Sequence, residues 1–215
     1  KGTRIKIIRS GDVIPKIHEV IVKKKPDFPN IDYIWNETNV DLIIDKSKNN
    51  KDNNYDMLVK NLTYFFKKMN IKNVDEAIIR KMIDIELDSI EKIILAKEKD
   101  LLKIEGFKDK MASKIYKNIQ DAIQDVNLST LMAASNIFGH GLGERKLDII
   151  IKEHPDIFKK KISKENLLEM IVKLDGFESK TANKFIEGYE DFKAFLKKNP
   201  KIKIRIGKKS KKDGK

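Results

Sequence analysis

At 215 residues, 40 % of them hydrophobic, the chain is long enough for one large domain or two small ones with a packed core. It has no cysteine, which excludes disulfides and thiolate zinc sites, and neither a membrane-spanning run of roughly 20 apolar residues nor a secretory leader is visible, so an intracellular location is expected. A formal charge of +13 favours an anionic partner.

Thr3-Arg4-Ile5-Lys6-Ile7-Ile8-Arg9 alternates with the period of a half-buried strand. Ser10-Gly11-Asp12 is turn chemistry, and Val13 to Val22 resumes a strand-like run in which Pro15 belongs at an edge or bulge. One hairpin is not a domain, and the chain reads as though cut from something larger. Residues 26–54 read as irregular, ending in an exposed Lys/Asn/Asp loop over 45–54. Helical periodicity then takes over. Leu58, Leu62, Phe65, Phe66 and Met69 share a face, followed by stripes at Ile78–Ile83, Ile90–Leu95, Leu128–Met132, Leu147–Ile151, Leu167–Ile171 and Phe185–Leu196. Residues 197–215 carry ten Lys/Arg against one Asp, or +9, and residues 1–25 carry +6, which leaves −2 for residues 26–196. Phosphate contacts in the helical middle therefore have to be local, from turn amides and a few side chains. The terminal Lys run is either a solvated tail or an electrostatic arm.

Two segments seventy residues apart echo one another: Ile104-Glu105-Gly106-Phe107-Lys108-Asp109-Lys110-Met111-Ala112-Ser113-Lys114 and Leu174-Asp175-Gly176-Phe177-Glu178-Ser179-Lys180-Thr181-Ala182-Asn183-Lys184. Each follows an apolar helix end, turns at a glycine and opens a second helix. Such a turn leaves the first N–H groups of the second helix unpaired, at the positive end of its dipole, as a seat for phosphate. This is the helix-hairpin-helix pattern, which holds nucleic-acid backbone without reading sequence.

The order of these features resembles the C-terminal half of bacterial-type NAD-dependent DNA ligases. Arg9-Ser10-Gly11-Asp12-Val13-Ile14-Pro15-Lys16 is similar to that family's late OB-fold segment, which a four-cysteine zinc module, four helix-hairpin-helix motifs and usually a BRCT domain follow. The resemblance implies a mainly α chain: the end of an OB fold at 1–25, a linker in place of the zinc module at 26–57, tandem helix-hairpin-helix motifs at 58–196, and a basic tail at 197–215. The first motif, Lys67–Met82, has no glycine in its turn and reads as structural. The second spans Leu102–Lys114. The third carries Gly139, His140, Gly141 and Gly143 ahead of Glu144-Arg145-Lys146, and the fourth spans Val172–Lys184 with Glu178 placed to repel a phosphate. The expected backbone contacts are Gly106, Phe107, Lys108, Lys110, Gly139, His140, Gly141, Gly143, Arg145, Lys146, Gly176 and Lys180, with Arg4, Arg9 and Lys16 from the OB side. The implied partner is nicked double-stranded DNA, with no membrane and no inferable protein partner. NAD and magnesium would be bound by the parent enzyme outside this chain, and no zinc within it. The missing zinc module fits a viral or otherwise divergent member.

The family's nucleophile motif, Lys-x-Asp-Gly, occurs twice, at Lys173–Gly176 and Lys211–Gly214. The first has a repeat counterpart, Lys103-Ile104-Glu105-Gly106, and so reads as a helix end and turn. The second lies in the Lys-rich tail, and neither offers the pocket a nucleophilic lysine needs. The catalytic lysine is expected upstream of Lys1. Asp84, Glu86, Asp88 and Glu91 read as a solvated charged face. The rivals are a non-catalytic OB/helix-hairpin-helix module of the Holliday-junction-binding type and a purely structural helical domain whose glycines are only C-caps.

Overall fold

The computed structural model describes residues 1–205 apart from 12, 13, 30, 31, 46–50 and 140. His140, the loop at 46–50, the tail from 206 and Lys211–Gly214 therefore lie outside the described residues. The chain divides into two compact units, Lys1–Asn53 and Asn54–Lys215.

In the first unit β1 (Arg4–Ser10) pairs antiparallel with β2 (Ile14–Val22), in register from Ser10↔Ile14 to Ile7↔Ile17, with a shift between Lys6 and Ile7. Pro15 lies opposite Arg9 on a strand with an unpaired edge, where its missing N–H costs nothing. The alternation predicts a half-buried strand, but β2 is exposed along its whole length and Ile14 is 70 % exposed. A two-stranded ribbon has no second layer of its own to cover either face.

The segment expected to be irregular contains a second antiparallel ribbon, β3 (Tyr33–Trp35) with β4 (Leu42–Ile44). Its turn is organised by Asn36, whose side-chain oxygen accepts from the N–H groups of Val40 and Asp41 at 3.0 and 3.2 Å and whose amide donates to the Asp41 carboxylate at 2.9 Å. Asn39 takes the left-handed conformation, which asparagine tolerates better than most residues. Phe28, Tyr33 and Trp35 have ring centroids 5.7–6.4 Å apart and form an apolar cluster beside this ribbon. The last part of the predicted loop is helical as well, because α1 (Lys51–Lys68) begins at Lys51.

The second unit is mainly α, as the periodicity predicts. After α1 come α2 (Glu76–Asp84), α3 (Ile90–Leu95), α4 (Glu98–Leu101), α5 (Asp109–Ala122), α6 (Leu128–Ser135), α7 (Glu144–Glu153), α8 (Lys164–Val172) and α9 (Ser179–Lys198). The stripes read from the sequence are buried: Leu62, Phe65 and Phe66 on α1, Ile79 and Met82 on α2, Leu147 and Ile150 on α7, and Phe185 and Phe192 on α9, while α5, where no stripe is read, buries Ile115 and Ile119. A run of rings thickens the core towards the C-terminus. Phe138 stacks on Phe185 at 5.3 Å and 7°, and Phe158 lies 4.9 Å from Phe192. Tyr189 is buried in this group and donates its hydroxyl to the carbonyls of Ile157 and Lys160 at 2.8 and 3.1 Å, and burial pushes its phenol above the ordinary value. Gly188 lets α9 approach the same rings: a Cβ built there would lie 2.8 Å from Phe138 Cδ1.

Two short strands close the unit. β5 (Val126–Asn127) pairs in parallel with β6 (Ile204–Arg205), flanked by Lys203 N–H donating to the Ile123 carbonyl at 2.7 Å and Val126 N–H donating to Lys203 at 2.9 Å. The sequence leaves Ile202–Ile206 open between strand and loose tail. Ile202 is buried and Ile204–Arg205 form a strand.

Candidate nucleic-acid interface

The two echoing segments fold alike, bond for bond. After α4, the Ile104 N–H donates to Leu101 and Phe107 N–H to Ile104; after α8, Leu174 N–H donates to Ile171 and Phe177 N–H to Leu174, all at 3.0–3.1 Å. Gly106 and Gly176 sit at φ +81° and +76°, where a Cβ would be strained. The residues that follow are extended, Lys108 at −119°/167° and Glu178 at −98°/165°, and begin α5 and α9. Ala112 and Ala182, the small residue of each repeat, are fully buried one turn into the helix.

The third turn reaches the same end by a longer path. Asn136 ends α6 in the left-handed conformation, Gly139 and Gly141 follow at φ +64° and +97°, and Gly143 starts α7 from an extended conformation. The first turn places Asn70 and Asn73 where the others place glycine, at φ +56° and +63°. Asparagine's short polar side chain makes it the next most tolerant residue there.

Apart from α4, whose N-cap Lys97 makes no side-chain cap bond and donates its own N–H to the Asp100 carboxylate at 3.0 Å, the starts of α2, α3 and α5–α9 fall into two groups by how they are capped. Asp75, Ser89, Asn127 and Ser163 each accept a backbone N–H of the helix they open, on α2, α3, α6 and α8. Lys108, Gly143 and Glu178, the three starts that follow glycine turns, make no such bond. Among the described residues no acceptor lies within reach of the N–H groups of Lys108–Lys110, Gly143–Arg145 and Glu178–Lys180. Unpaired N–H groups at a helix start are the kind that can hold an anion, and on α2 the carboxylate of Asp75 takes that place, 2.9 Å from Ile78 N–H.

Lys108, Lys110, Arg145 and Lys180 are exposed around the open starts, while Phe107 and Lys146 are half-buried. Phe107 is packed against the core, so it props its turn. Lys146 Nζ lies 5.8 Å from the Phe177 ring centroid, which ties the third motif to the fourth turn. Lys184 Nζ on α9 comes within 3.1 Å of where a Cβ on Gly141 would stand, a second tie between those motifs. The second turn has its own brace, Lys81 on α2, which donates to the Glu105 carbonyl at 3.0 Å. Arg4, Arg9 and Lys16 are exposed on β1 and β2 of the first unit.

Glu144 is an acid at one of the open starts. It accepts from the Thr130 hydroxyl at 2.6 Å and pairs with Lys68 at 3.1 Å. The Thr130 bond, with Lys68, holds its carboxyl below the usual range against the opposing effect of partial burial. A depressed carboxyl contributes stability above its unfolded value of about 4.3, and that contribution is lost as the pH falls through the folded value. The melting temperature of the chain should therefore drop on acidification past about pH 4, and Glu144→Gln should lack part of that drop.

Lys173 is the C-cap of α8 and is exposed, in keeping with a helix end. The acidic string is engaged elsewhere: Asp84 accepts from the Tyr55 hydroxyl at 3.3 Å and Asp88 pairs with Lys92 at 2.8 Å. Among the described residues no group of three or more His, Asp or Glu could hold a metal ion, and no helix is long and apolar enough to cross a membrane. Sequence reading missed the asparagine turn and Gly188. Asparagine's left-handed tolerance and an isolated glycine in a helical stripe were the available signals.

No family model matches the chain. A DNA ligase of Acanthamoeba polyphaga mimivirus is 36 % identical over 199 residues, 91 % of this chain and 31 % of that protein. DNA ligases of Aliarcobacter butzleri and Campylobacter hominis are 29 % and 31 % identical over 93 % and 86 % of this chain, and 32 % and 29 % of their own lengths. The chain thus spans about three-tenths of the length of these relatives.

Proposed function

From its homology to proteins named DNA ligase over most of its length, we propose that this chain is the DNA-binding portion of an NAD-dependent DNA ligase, working inside the cell. It clamps nicked duplex DNA by its phosphate backbone while the nick is sealed. The observation that carries this reading is the division of helix starts: the helices opening after glycine turns are uncapped, and those of α2, α3, α6 and α8 are closed by a side chain. In the tandem helix-hairpin-helix arrangement, the amides at Lys108–Lys110 and Gly143–Arg145 hold phosphates. Those at Glu178–Lys180 do so less well because of the Glu178 charge. Lys108, Lys110, Arg145 and Lys180 add point charges, and Arg4, Arg9 and Lys16 on β1 and β2, the end of an OB fold, contribute from the other unit. Such contacts position a duplex without specifying its sequence.

NAD serves the parent enzyme as adenylate donor, with magnesium, and both are bound outside this chain. Lys173 fits no nucleotidyltransfer role, since it is an exposed helix end without a pocket. The family's zinc module does not fit either. Residues 26–57 contain neither Cys nor His, and the Phe28–Tyr33–Trp35 cluster supplies an apolar nucleus there.

Binding to nicked duplex, intact duplex and a four-way junction across a salt series tests the reading. A preference for duplex, a steep loss with salt and no adenylation of the chain on adding NAD are expected. A marked preference for the junction would favour the Holliday-junction-type module, and no binding at all would leave a structural helical domain.

A further inference from the structure

Helix α1 presents Lys60, Tyr64 and Lys68 four residues apart, on one stripe of its surface. This stripe and the third glycine turn line a cleft of about 580 Å³, floored in part by Asn136 and Phe138. Gly139, Gly141 and Gly143 line the same cleft, together with Leu142 and Glu144, and Gly139 and Gly143 have open space where a Cβ would stand. Tyr64 is 45 % exposed, so its ring is not spent on the core. Lys68 and Thr130 already satisfy Glu144, the acid in this lining. Lys60 is exposed, with no ion-pair partner among the described residues.

We propose that this cleft takes one nucleotide unit of a DNA strand, adjoining the phosphate seated on the Gly143–Arg145 amides, with Lys60 neutralising a second phosphate and the Tyr64 ring covering the apolar face of the deoxyribose. The inference rests on the clamp reading and extends it to a helix that precedes all of the turns. An exposed lysine one turn from an exposed ring, in a cleft that the third glycine turn also lines, matches a strand whose anionic phosphates alternate with apolar sugars.

The test uses the full chain and a short nicked duplex, with affinity read by fluorescence anisotropy over a salt series. Lys60→Ala should weaken binding about five-fold near 0.15 M salt and lower the salt slope by about one. Tyr64→Ala should weaken binding by about five-fold or more with the slope unchanged, and Tyr64→Phe should retain most of the affinity. Lys92→Ala, a lysine paired with Asp88 and outside the cleft, should change neither quantity. All of these residues are exposed, so the melting temperature checks that folding is unaffected. If the parent chain binds and both Lys60→Ala and Tyr64→Ala match it in affinity and slope, the cleft proposal is overturned and the clamp stands. If the parent chain itself does not bind, both fall.

Discussion

Phe138→Ala should cost the helical unit about 3–5 kcal/mol, read as a large drop in melting temperature. Phe138 is buried between Phe185, at 5.3 Å, and Phe192, at 5.4 Å, so truncation leaves a cavity lined by rings that cannot collapse into it. The sharper expectation concerns its partner. Gly188→Ala places a methyl 2.8 Å from Phe138 Cδ1 and 3.2 Å from the Ile137 carbonyl. Overpacking of this kind costs about 1–3 kcal/mol, less the roughly 1 kcal/mol that alanine gains over glycine in a helix. In the Phe138→Ala background the ring is gone, so the same substitution should become neutral or stabilising. A double-mutant cycle by thermal or urea melting reads this coupling. Additive effects would show that Gly188 and Phe138 do not meet in solution.

Lys108→Glu and Glu178→Lys should move DNA affinity in opposite directions. The two residues occupy equivalent places with nearly the same backbone angles and open helices with the same hydrogen-bond pattern. They differ in charge at a seat where the helix dipole favours an anion. Lys108→Glu should weaken duplex binding about ten-fold near 0.15 M salt and lower the salt slope by about one, and Glu178→Lys should strengthen it about five-fold and raise the slope by about one. Titrations of both variants over a salt series decide the matter. Equal effects of one sign, or none, would argue against backbone phosphates at these two turns.

What could be read in advance follows from the range of the interactions concerned. The helical stripes were legible because burial follows a 3.6-residue period, and Leu62, Phe65, Phe66, Ile79 and Ile150 are buried where that period puts them. The repeat was legible because the left-handed positions at 106 and 176 call for glycine and the sequence shows it. Asn70 and Asn73 fill equivalent positions with a different residue, so the first turn was less visible as a member of the set. The exposure of β1 and β2 was misread because alternation shows that a ribbon has faces, not that anything covers them. The pairing of Val126 with Ile204 spans about half of the helical unit, and no local pattern encodes it. The same holds for the stripe of Lys60, Tyr64 and Lys68, whose setting depends on a turn more than seventy residues away.

That long-range pairing has a bearing on biosynthesis. With Ile202 buried and Lys203 hydrogen-bonded to Ile123 and Val126, the edge around residues 123–127 stays open until a segment made much later arrives. A nascent chain halted near the end of α9 would have every helix of the described set and still lack its clasp. The helical unit is thus a product that vectorial synthesis can assemble early but finish only at its end, and a ribosome-bound intermediate should be open to proteolysis at the α5–β5 junction until residue 205 emerges.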